Sequence, residues 1–198
     1  MAARHAALSE RHHVRQRAIA TVVYERLGAI LRSLTDLSEE SLARYQQEAY
    51  PTVRGGQRVA ADTAAAYTSM LGGRAVRPVN VDGALLASGA LIEPDARSLV
   101  APVLRARSLV AEGAVMAAAV VTAGGYAAGL ASGDLQTAVR VGAEEGAGAS
   151  GLRVRGWTKA LSGDACSWCQ TVAADTYRSA DSVPFHQNDN CTVEPVLD

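Results

Sequence analysis

The stretch Val14-Arg-Gln-Arg-Ala-Ile19-Ala-Thr-Val22-Val23-Tyr-Glu-Arg-Leu27-Gly-Ala-Ile30-Leu31-Arg-Ser-Leu34 decides the fold class of this 198-residue chain. Its apolar residues Ile19, Val22, Val23, Leu27, Ile30, Leu31 and Leu34 return at spacings of three and four, the pattern of an amphipathic helix with a face to bury. A stripe this regular needs other helices to lie against. Downstream, Ser38 followed by Glu39 and Glu40 predicts the next one, because the hydroxyl caps the first turn and the acids favour its dipole. That helix is expected to stop before Pro51. Gly55-Gly56 reads as a break, and Val59, Ala60, Thr63, Ala64, Tyr67 and Leu71 predict a further helix that Gly72-Gly73 ends in the left-handed conformation.

Residues 74–93 are the least helical part of the body. Val76, Val79 and Val81 alternate around Pro78 and Asn80, which predicts an extended loop or a short edge strand, and a connection this long is a contact-loop candidate. Glu93-Pro94-Asp95 opens another helix, with a kink or restart expected at Pro102. Residues 113–133 carry no charge and are long enough to cross a bilayer. They are mostly Ala and Gly without flanking anchors, so a packed helix with no stable membrane insertion is expected. Ser132-Gly133-Asp134 resets the chain, and Gly146-Ala-Gly-Ala-Ser-Gly151 reads as a flexible joint. The expected fold class is mainly α: an elongated helical body over 1–145 and a small C-terminal zinc-stabilised Cys/His module of turns and short strands over 150–198.

Hydrophobic residues make up 48% of the chain but aromatics only 5%, so close contacts between Ala- and Gly-rich helices must supply most of the packing. Such faces bury little apolar area per residue, and partner subunits are expected to add to stability. Nineteen basic against twenty acidic residues give a net charge of −1, which argues against tight sequence-independent binding of duplex DNA. The basic residues are unevenly spread. Up to residue 32 the chain holds Arg4, Arg11, Arg15, Arg17, Arg26, Arg32, His5, His12 and His13 against Glu10 and Glu25, a basic arm that is either a binding surface or a solvated helix face. Met1 to Arg17 has no apolar segment of the secretory kind, so an intracellular chain is expected.

All three cysteines fall in the last quarter, as Cys166-Ser-Trp-Cys169 and Cys191, with His186 between them. Three thiolates and an imidazole are the ligand set of a closed tetrahedral zinc site, and a Cys-x-x-Cys pair reaches one ion from a tight turn. Four protein ligands leave no position for a water, so such a metal staples the fold without catalysing. Other readings of the same residues stay open. Two cysteines could form a disulfide, or the site could be metal-free. Cys166 or Cys169 with His186 and Asn188 or Asn190 has the residue types of a Cys-His-Asn triad. A thioredoxin-like redox pair lacks its strand–helix setting. A zinc knuckle using Trp168, Phe185 and nearby arginines would bind unpaired bases. Arg153, Arg155 and Lys159 with Trp157 form a small basic and aromatic patch, or the two tryptophans are simply the module's core. No phosphate-cradling Gly-rich motif is present.

Taken together, Cys166-Ser-Trp-Cys169, Tyr177-Arg-Ser-Ala-Asp181, Val183-Pro-Phe-His186 and Cys191-Thr-Val-Glu-Pro-Val196 resemble the C-terminal motif of phage Mu F-like minor head proteins, the head morphogenesis family. The likeness covers residues 153–198. One departure is that four residues separate His186 from Cys191, and Val193 stands where the family commonly has a last cysteine. The resemblance implies a short-form virion structural protein of an actinobacterial tailed phage, placed in the head interior or at the portal vertex and in the host cytoplasm during assembly. It implies portal or major capsid protein as partner, a basic arm facing packaged DNA or an acidic portal surface, and no catalytic residue.

Overall fold

A computed structural model describes residues 2–163, 165–186 and 191–198, the side chains from Arg4 onward. Among the described residues six α-helices and two strands follow in the order α1 Ala2–Arg32, α2 Glu39–Leu71, α3 Val81–Ala87, α4 Arg97–Ala111, α5 Met116–Ala149, β1 Val154–Ala160, α6 Ser167–Val172 and β2 Thr192–Leu197, with a 3-10 turn at Ala180–Ser182. The chain is mainly helical, as expected. At 31, 33 and 34 residues, α1, α2 and α5 are each about 46–51 Å long.

The helices start where capping chemistry allows. Ser38 accepts from the Ser41 N–H at the head of α2, with Glu39 and Glu40 in the first turn. Asp36 steadies that corner by accepting from the Ser38 N–H and from the Ser38 and Ser41 hydroxyls. At the other end Gly73 takes φ 66°, the left-handed residue the sequence predicts after Leu71.

Two expected breaks are absent. α2 runs through Pro51 and Gly55-Gly56. Pro51 is on the solvent side, while Tyr45, Ala49 and Val53 are fully buried around it, so packing on one face outweighs the missing backbone hydrogen bond. Gly56 serves close packing within the helix, since a methyl group there would press on Val23 and Leu135. α5 likewise passes through Ser132-Gly133-Asp134 without interruption and takes in Gly146, Ala147, Gly148 and Ala149, where a flexible joint was expected. The physical reason is close approach: Cβ atoms at Gly142 and Gly146 would land on the backbones of Ala61 and Ala65, well inside van der Waals contact. The glycines let α5 lie directly on α2. They are packing residues, not hinges.

The stretch expected to be extended holds a helix, α3. Asn80 caps it by accepting from the Gly83 N–H at 3.0 Å, and residues 74–80 before it have no regular structure. The turn after α3 is pinned by fully buried Gln57, which donates to Ala90 O at 2.7 Å and Asp134 O at 3.3 Å and accepts from Ile92 N–H at 3.0 Å. α4 begins at Arg97, after a turn at Glu93–Ala96, and carries Pro102 within it without a restart.

α5 has the length and composition to cross a bilayer, and it lies at the centre of the bundle, in contact with α1, α2, α3, α4 and β2. Leu27 and Leu31 of α1, Tyr45 and Val53 of α2, and Leu99 and Val103 of α4 are buried to 1% exposure or less around its Ala119, Ala123, Ala127 and Ala131. The same apolar cluster includes Trp157, Ala180, Val183 and Val193, so the core continues without a gap into the C-terminal segment. There β1 pairs antiparallel with β2, Trp157 opposite Pro195 and Lys159 opposite Val193. Two strands are marginal alone. These are braced by α1 and α5.

Candidate metal centre

Cys166 caps α6: its Sγ accepts the Cys169 N–H at 3.4 Å, so the helix starts on a sulfur. One turn on, Cys169 points inward and is 1% exposed, while Cys166 is exposed. His186 arrives from the other side, after the 3-10 turn and Pro184-Phe185, and its Nε2 lies 3.2 Å from both sulfurs. Among the described residues this is the group of three donors within 4.8 Å of one another that could hold a metal ion. The geometry fits. A tetrahedral zinc with Zn–S of about 2.3 Å and Zn–N of about 2.0–2.1 Å separates sulfur from nitrogen by about 3.5 Å. The Cys166 thiol is drawn down to about 7, first by the Cys169 N–H and then by His186, toward the thiolate a metal requires.

Cys191, the fourth predicted ligand, is buried immediately before β2, and its Sγ is 3.6 Å from Ser162 Oγ. It is not in the three-donor group. Asn188 and Asn190, considered for a catalytic triad, lie outside the described residues.

The flank of the site is built by a residue whose role the sequence hides. Lys159 was expected in a basic surface patch, yet it is 2% exposed. A register shift between Val154 and Gly156 breaks the strand's alternation, so Arg153 and Arg155 face solvent while Trp157 and Lys159 turn inward. Lys159 Nζ donates to Pro184 O at 2.9 Å and sits 4.4 Å from the Phe185 ring and 4.8 Å from the Trp168 ring. It ties the His186 segment to β1. Trp157 is core at 5% exposure, whereas Trp168 is 42% exposed and meets the His186 ring edge-on at 5.2 Å.

A second polar cluster had no sequence signal, since its members are up to 189 residues apart. Glu194 on β2, 8% exposed, accepts from the hydroxyls of Ser9 and Tyr67 and lies 3.0 Å from His5 Nε2. His12 stacks on Tyr67 with centroids 4.1 Å apart and reaches Thr192 Oγ1 at 3.1 Å, and His13 reaches Ala160 O at 3.2 Å. Burial, with the positive charges of His13 and Arg15, lowers His12 to about 3. Thus much of the polar side of the basic arm is spent on docking the first turns of α1 to the sheet. The chain matches no protein-family model, and no curated protein or solved structure is significantly similar to it.

Proposed function

We propose that the protein is a non-enzymatic assembly component whose tail is stapled by a zinc ion on Cys166, Cys169, His186 and Cys191, and that it serves as a minor head protein of a tailed phage. The observation that carries the metal is the meeting of two sulfurs and one imidazole nitrogen, brought from α6 and from the segment before residue 187. Cys191, five residues beyond His186, is the donor whose addition closes the shell, leaving no position for a reacting water. The virion reading is supported by the motif likeness over residues 153–198 and by a body of three long helices suited to lying along portal or capsid subunits. In that role the ion holds one tail conformation, and the tail presents a docking surface.

Cobalt substitution tests the ligand set. Tetrahedral Co²⁺ on three thiolates shows sulfur-to-metal charge transfer that drops by about a third in Cys191→Ser if this residue coordinates. An unchanged band leaves the three-donor set, and an absent band removes the metal reading altogether. Co-purification with a portal ring, lost in Cys169→Ser without loss of any turnover, is the expected assembly result. A second reading rests on the exposed Trp168 ring beside His186, which would stack on unpaired bases. Salt-sensitive single-strand binding that Trp168→Ala abolishes would favour it.

A further inference from the structure

Away from the metal centre, two open clefts run end to end between the first turns of α1 and the last turns of α2. One, about 300 Å³, spans Arg11 and Arg15 to Asp62 and Tyr67, and the other, about 510 Å³, spans Arg4 to Gly73. They share Leu8 and Met70 and so form one groove. Along α1 it covers Arg4 to Arg15, about 17 Å, or three helical turns. Its floor is apolar, and Met70 is 37% exposed there, a flexible side chain that moulds to a partner.

The α1 rim carries one sign of charge. Arg4, Arg11 and Arg15 fall with Leu8 on a single helix face, and Glu10 falls on the opposite one. None of the three arginines has a carboxylate within ion-pair distance among the described residues. Arg11 and Arg15 are four apart with like charge, which weakens a helix standing alone. Across the groove the α2 rim offers Asp62 and Thr63. We propose that this groove is a docking site for an amphipathic helix of a partner protein, with apolar anchors toward Leu8, Tyr67 and Met70 and acidic residues along its α1-facing flank only. An apolar floor with Asp62 on one rim suits such a helix and not a phosphate backbone, and the site stands independently of the metal centre.

The test uses the full chain and a labelled, stapled peptide helix of about three turns (about 11 residues) with leucines at helical spacing and glutamates on one flank. Fluorescence anisotropy should show micromolar binding that the double variant Arg11→Glu, Arg15→Glu weakens at least about tenfold. The lysine twin of the peptide should fail on the parent chain and bind the double variant. Both substitutions are at exposed positions, and Met70→Lys, checked for unchanged thermal unfolding, should weaken both pairings. The proposal is overturned if both peptides bind the parent equally, if charge reversal leaves affinity unchanged, or if an oligothymidylate binds tighter than the acidic peptide. Self-association in sedimentation that Met70→Lys abolishes would equally overturn it, by making a second copy the occupant.

Discussion

His12 places an imidazole where a charge is not tolerated. Its ring lies flat on Tyr67, Nε2 faces Thr192, and Nδ1 is buried with no hydrogen-bond partner among the described residues. The unfolded chain, titrating near 6.5, takes up a proton that the folded chain refuses down to about 3. Stability from this group is therefore complete above pH ~6.5 and is lost progressively as pH falls toward ~3. Thermal midpoints measured across that window should decline with acid, and His12→Phe, which keeps the stack and cannot titrate, should decline less. Equal slopes for the two chains would refute the assignment. At Gly142 and Gly146 the controlling quantity is space. Gly146→Ala should cost about 1–3 kcal/mol, because the α2 backbone opposite has no side chain to move aside. Gly133→Ala, with nothing within 4 Å and no left-handed φ, should instead stabilise by about 0.5–1 kcal/mol. Urea unfolding of the pair separates glycine needed for contact from glycine that is merely present.

Among the elements, those with a local signature could be read from sequence and those set by distant contacts could not. The stripe from Ile19 to Leu34 announced α1 because its period is intrinsic. Its extension back to Ala2 depends on β2, which supplies Glu194 and Thr192 to His5, Ser9 and His12 from the far end of the chain. Sequence alone breaks α2 and α5 early, because proline and glycine weaken isolated helices, while in the fold burial of Tyr45, Ala49 and Val53 and the Ala61–Gly142 crossing decide the matter. Cys166, Cys169 and His186, the three donors that meet, are legible from their clustering in sequence, whereas the position of Cys191 beside Ser162 is not, and neither is Lys159, since a strand's register shift has no spacing code. Lys159→Met should cost about 1–3 kcal/mol by leaving Pro184 O without its donor, and should weaken cobalt binding with it. A variant that unfolds earlier yet keeps full metal affinity would uncouple the two.

For the whole molecule, the shared core predicts how loss of the proposed ion would spread. Trp157, Val183 and Val193 belong to the same apolar cluster as Leu27 and Val103, so chelation should raise amide exchange in residues 160–186 while leaving far-UV helicity nearly intact. Collapse of the helical signal with chelator would mean that the ion supports the bundle and not just its tail. Leu27→Ala, at the centre of the cluster, should cost about 2–5 kcal/mol and loosen helices and tail together, a single cooperative transition by circular dichroism and by tryptophan emission.

The clasp between α1 and β2 also sets a timetable for synthesis. His12 leaves the ribosome some 180 residues ahead of Thr192, its hydrogen-bond partner. At roughly 5–20 residues per second, the opening turns of α1 wait about 10–40 s for the strand that covers them. Throughout that interval their histidines lack the buried partners that β2 supplies, and those turns are open to whatever chaperone or fellow subunit arrives first.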